Sequence, residues 1–178
     1  WGLEAPLDII GHSMGGIVAR EFVRRYHHEF NILHLMQLAA PNNGFETIEI
    51  IDGGLEFLVN NFEAHEIDIF NPYTSRGARA LVQGSEYLRS LNTELDHRLN
   101  THLVCLYGMG DRWLLSPIIP GDDDGLINVL SSRLSRLVFQ QPFESYNSGF
   151  TGPVTENHWN ILPALGAANN ISGHLRYP

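Results

Sequence analysis

The sequence predicts an α/β fold, a mostly parallel sheet flanked by helices, and three observations carry that reading. A β-rich run, a helical stretch and a second apolar run follow one another within about 35 residues, the length of a strand–helix–strand unit. The second run, Ile32 to Ala40, is almost continuously apolar, which suits a strand covered on both faces. A third run, His102 to Tyr107, returns after a long stretch of mainly helical character.

Taken in order, Leu7-Asp8-Ile9-Ile10 is the first strand and leads directly into Gly11-His12-Ser13-Met14-Gly15-Gly16. The helix that follows is expected to show Ile17, Val18, Phe22 and Tyr26 on one side. Arg20, Glu21, Arg24 and Arg25 fall mostly on the other. Glu21 and Arg25 stand four apart in the favourable order, and the basic residues with His27-His28 sit where the helix dipole prefers cations. Ile32 to Ala40 is the second strand, ended by Pro41-Asn42-Asn43-Gly44. From Phe45 to about Asn100 the pattern is mainly helical: Ile48, Ile51, Leu55, Leu58 and Phe62 recur at three- and four-residue steps, Asn71-Pro72 marks a turn, and Ala78 to Leu91 forms one further helix. His102 to Tyr107 is a strand closed by Gly108-Met109-Gly110. A loop runs through Trp113 to Pro120 into Gly121-Asp122-Asp123-Asp124-Gly125, with a strand expected near Leu137 to Gln140. Tyr146 to Asn157, rich in Gly, Ser, Thr and Asn, reads as loop, and His158 opens a last apolar helix to about Ala168. No repeat, low-complexity tract or linker divides the chain, so residues 1–178 are read as one domain.

The composition narrows the function. Eleven Lys+Arg against twenty Asp+Glu give a formal charge of -9, from which no basic patch for nucleic acid can be assembled. The single cysteine, Cys105, excludes an internal disulfide framework. No apolar run reaches the roughly 18 residues of a membrane span. The chain starts at Trp1 rather than Met, and it is read as a fragment or processed product.

Gly11-His12-Ser13-Met14-Gly15 fits G-x-S-x-G and stands where that pattern has a mechanism, between a β run and a helix. A serine on so sharp a turn projects its oxygen above the sheet. Crowding there predicts glycine two residues before and two after it. The same turn puts the Met14 N–H at a helix N-terminus, suited to an oxyanion. A phosphate-binding loop would need G-x-x-x-x-G-K-[ST], and no lysine lies nearby.

A serine nucleophile needs a base, and the base an orienting carboxylate. Of nine histidines, His158 stands late in the chain between a loop and a helix, as the order Ser…Asp…His requires. Two aspartates compete for the acid: Asp111 in Gly-Met-Gly-Asp, and Asp124 at the end of the triple-Asp run. Spacing does not choose between them, and the run does not match a calcium loop.

Several segments together resemble the α/β-hydrolase superfamily, in the lipase and esterase branch of bacterial triacylglycerol lipases and LCAT-like enzymes. They are Ile9 to Arg20, Leu38 to Gly44, Gly84 to Asn92, Asp122 to Ser132 and Asn157-His158-Trp159. The resemblance implies Asp124 as the triad acid, with Asp111 as the alternative, and His158 as the base. It implies a helical cap or lid over about 45–98. It also implies that the fold's first strands, with the His-Gly loop that gives a second oxyanion donor, belong to a parent chain and are missing here. Related lipases bind calcium through an aspartate two residues after the base. Asn160 stands there, so neither metal nor cofactor is expected. The expected activity is cleavage of a carboxylic ester through an acyl-enzyme. Acyltransferase or thioesterase chemistry on the same machinery, or a non-catalytic hydrolase-fold fragment, are the alternatives. The partner is a small-molecule or lipid ester, and the resemblance allows contact with a membrane surface or lipid interface.

Overall fold

The computed structural model describes residues 5–45, 76–93, 99–109, 119, 121–133, 146–155 and 161. Four strands, β1 (Leu7–His12), β2 (Ile32–Leu38), β3 (Leu99–Gly108) and β4 (Tyr146–Val154), form one sheet in the order β1-β2-β3-β4, and every pairing is parallel. Helix α1 (Met14–Tyr26) connects β1 to β2. Helices α2 (Arg76–Ala80) and α3 (Glu86–Thr93) precede β3, and the short α4 (Val129–Ser132) precedes β4.

The two sheet faces follow from strand alternation. Leu35, Leu103 and Cys105 point at Ala19 and Val23 of α1 and form one buried cluster with Ile32. Met36, Leu38, Val104 and Leu106 point the other way, onto Val154 and Ile161. Both faces of β2 and of the C-terminal half of β3 are therefore largely buried, which is why these stretches read as nearly continuous apolar runs. A third cluster joins Ile17 and Ala40 to Leu81, Leu88, Leu91 and Ile127, and so docks α3 on α1. Asp8, His34, His102 and Ser148 occupy one row across the four strands, with His34 Nδ1 2.6 Å from Asp8 Oδ1.

Three expectations change. The buried arc of α1 is Gly16, Ile17, Ala19, Arg20 and Val23, while Val18 is 60% exposed. The apolar spacing points to Ile17, Val18, Phe22 and Tyr26, of which Ile17 is buried. The arc that wins is one residue earlier because the turn at Ser13 aims Gly16 at the sheet, and Phe22 and Tyr26 instead pack with Phe30 beside the core. The single helix over Ala78 to Leu91 is two. Phe45 and Val82 form a parallel bridge between them, Gly84 takes φ 75°, and Ser85 caps α3 by accepting from the Leu88 N–H at 3.2 Å. Finally, Tyr146–Val154 is a strand rather than a loop. The β3 backbone needs partners on that side, and this requirement overrides the low strand propensity of Gly149, Gly152 and Pro153. Pro153 is exposed and stands one residue from the strand's end, where a missing N–H is tolerated. The strand expected near 137–140, the last helix from His158 and most of the expected cap lie outside the described residues.

Candidate active site

The site begins at the carboxyl end of β1. Ser13 follows His12 and precedes the first residue of α1, with φ 52° and ψ -131°. A side-chain-bearing residue in this region costs on the order of 1–3 kcal/mol and persists only where the surroundings impose it. Here they do. The Ser13 N–H donates to the Leu38 carbonyl at 2.9 Å, and the Gly16 N–H donates to the Ser13 carbonyl at 2.9 Å. Ser13 is 8% exposed. Met14 opens α1, so its N–H belongs to the first helical turn, which has no acceptor within the helix.

Glycine is required at one of the two expected positions and at a third. A Cβ on Gly11 would lie 2.5 Å from the Gly15 carbonyl oxygen. A Cβ on Gly15 would meet nothing among the described residues, which corrects the expectation of crowding there. The second tight position is Gly16, whose Cβ would come within 2.6 Å of the Ala40 side chain. The turn is thus squeezed between its own helix and the end of β2. Ala39, just past that end, is also forced to φ 48°, with its N–H donating to the Leu106 carbonyl at 2.8 Å.

Asp124 is 1% exposed and sits in a tight loop between β3 and α4. Its Oδ1 accepts the Leu126 N–H at 3.0 Å and the Ile127 N–H at 2.7 Å, which fixes the carboxylate's orientation. The loop closes by an antiparallel bridge between Asp123 and Asn128, and Asn128 caps α4 through the Leu130 N–H at 2.7 Å. His158 and the alternative acid Asp111 lie outside the described residues. Among the described residues, no group of three His, Cys, Asp or Glu side chains could hold a metal ion.

Beneath the turn runs a buried polar network that sequence patterning did not single out. Arg20, 3% exposed, donates from Nη1 to Asn42 Oδ1 (2.9 Å) and Asn92 Oδ1 (3.0 Å), and from Nη2 to the Leu91 carbonyl (3.2 Å). Gln37 Nε2 donates to the Gly16 carbonyl (2.8 Å) and to Asn42 Oδ1 (3.1 Å). Asn42 Nδ2 donates to the Ser132 carbonyl at 3.0 Å. The sequence signal was Gln37, a polar residue inside a mainly apolar strand, since a buried amide requires partners nearby.

The family model for palmitoyl protein thioesterase matches residues 3–104, more than half of the chain, spanning β1, α1, β2 and the first part of β3. Among solved structures, the chain is similar to the Bacillus licheniformis lipase BlEst2 in its mature form. The TM-score is 0.56 at 15% identity, covering 97% of this chain and 64% of that one. It is also similar to a Listeria innocua gene product (TM-score 0.54, 14% identity, 94% and 56% covered). A third likeness is to SrfTE, the thioesterase domain for cyclization of the lipopeptide antibiotic surfactin (TM-score 0.54, 13% identity, 98% and 70% covered). A search of curated proteins found no match. The chain therefore spans less than two thirds of the first two structures it resembles. Sheet order, strand direction and these likenesses establish the α/β-hydrolase fold. With the strained serine turn inside the matched region, the chain belongs to the palmitoyl protein thioesterase family.

Proposed function

We propose that the protein is a serine hydrolase that cleaves acyl esters through an acyl-enzyme. Ser13 is the nucleophile, His158 the general base and Asp124 the orienting acid. The observation that carries this reading is the backbone of Ser13: a left-handed serine between a strand and a helix, imposed by close packing on both sides. In the proposed reaction the Ser13 hydroxyl gives its proton to the His158 imidazole as Oγ bonds to the substrate carbonyl carbon. The Met14 N–H stabilises the resulting oxyanion. The imidazolium then protonates the leaving group as the carbonyl re-forms. Water, losing a proton to His158, attacks the acyl carbon; the imidazolium then returns that proton to Ser13 Oγ as the C–Oγ bond breaks, releasing the carboxylic acid and the free serine. Asp124, already oriented by two N–H groups, holds the imidazole tautomer.

Fluorophosphonate labelling tests the nucleophile: the protein should label and Ser13→Ala should not, and equal labelling of both sinks the assignment. Asp124→Asn and Asp111→Asn, assayed side by side, test the acid. The first should lose turnover by on the order of 10⁴-fold and the second far less.

Carboxylic esters, lipids included, are the first substrate reading, with the segment 45–98 as a cap over the acyl chain and contact with a lipid interface. The family match favours a second reading, acyl thioesters. The ratio of kcat/KM on an acyl thioester and on the oxyester of the same acyl chain separates the two. Added alcohol as acceptor reveals any acyltransferase activity.

A further inference from the structure

We infer that Asn42 is a positioning residue that sets the serine turn and the aspartate loop relative to each other. The inference rests on the hydrolase reading above. Asn42 is fully buried and uses its two side-chain atoms in opposite directions. Its Oδ1 accepts from Arg20 and Gln37, and Gln37 in turn holds the carbonyl of Gly16, inside the first turn of the helix that begins beside Ser13. Its Nδ2 donates to the carbonyl of Ser132, the last residue of α4, the helix that follows directly on the Asp124 loop, and more weakly to Cys105 Sγ of β3 (3.7 Å), whose thiol donates to the same Ser132 carbonyl. Its own carbonyl accepts from Asn92 Nδ2 at 3.0 Å, which adds α3. Three segments distant in sequence meet on one amide. The acceptor side is charge-assisted, because its donor is the Arg20 guanidinium, which meets only neutral amide or carbonyl oxygens among the described residues.

The division of labour makes the inference testable with near-isosteric changes. Asn42→Asp keeps the acceptor for Arg20 and Gln37 and removes the donor to Ser132. Asn42→Ala removes both. Amide hydrogen exchange on the whole protein should therefore show lost protection only around residues 124–133 in Asn42→Asp, and around both 13–17 and 124–133 in Asn42→Ala. Thr101→Val, which deletes a buried bond to the Ile32 carbonyl at the other end of the sheet, should leave both regions as they were. Turnover per titrated active site should fall on the order of tenfold or more in Asn42→Asp, with KM within about twofold, because misplacement acts on the chemical step rather than on binding. Uniform loss of protection across β1 to β3 in Asn42→Asp, or turnover per site equal to that of the parent, overturns the inference. If the parent shows no Ser13-dependent turnover, the hydrolase reading falls by itself, and the exchange pattern still decides whether Asn42 ties the two segments together.

Discussion

At the scale of single residues, the turn around Ser13 is governed by the space its neighbours leave. Gly15→Ala should be neutral or stabilising, by up to about 1 kcal/mol, because alanine favours the helix and its Cβ meets nothing among the described residues. Gly16→Ala should cost about 1–3 kcal/mol, because its Cβ is driven into Ala40 with Gln37 close by. Urea unfolding of the two variants checks the contrast, and equal midpoints would contradict the packing described here. The pattern G-x-S-x-G was legible in the sequence, and so was the strain at its centre. The reason for the third glycine was not, because it depends on Ala40, a residue 24 positions away. Arg20 was misread for a related reason. A guanidinium counts as polar in any periodicity, yet here its charge is met by three neutral oxygens inside the molecule. Arg20→Lys should destabilise by about 1–3 kcal/mol, because an ammonium cannot reproduce the fork that reaches Asn42, Asn92 and Leu91 together. Thermal unfolding measures the loss.

Among the elements, α1 carries its own electrostatic support. Glu21 is paired with Arg24 through two contacts of 2.8 Å and with Arg25 one turn on. The hydrogen bond from Arg24 holds the Glu21 carboxyl below its ordinary value of 4.5, with the Arg25 bond adding to it against the opposing effect of partial burial. A carboxyl depressed in the folded state stabilises the protein above its unfolded pKa, and this contribution is lost as the pH falls through the folded value. The stability difference between the parent and Glu21→Gln should therefore be constant from neutral pH down to about pH 5, then shrink below about pH 4. At neutral pH it should be no more than about 1 kcal/mol, since both arginines are partly in water. Unfolding midpoints across that range test the sign. The i,i+4 pair was readable from spacing alone. The break between α2 and α3 was not, although Gly84-Ser85 was visible, because the bridge from Phe45 to Val82 that separates them is long-range. Ser85→Ala should cost about 0.5–2 kcal/mol through loss of the cap on α3.

For the whole molecule, the sheet's centre holds the stability and its carboxyl edge holds the proposed site. Leu35 and Leu103 are fully buried between α1 and the sheet, and Leu103→Ala should cost about 2–5 kcal/mol by calorimetry or denaturant unfolding. Ile10, on β1 and 48% exposed, should tolerate alanine far better. The α/β class was legible because β2 and β3 are covered on both sides and their sequences say so. β4 was not, because its residues are placed by what β3 needs rather than by what they prefer. Ser13 and Asp124 were named from motif and resemblance. The amide that joins their segments was not, since an asparagine after a proline reads first as a turn residue. The four described strands stand in space in the order in which they are synthesised. As the polypeptide emerges from a ribosome, each described strand can dock on the described strand made before it. The serine-bearing unit of β1, α1 and β2 then offers the edge on which β3, and after it β4, is laid down.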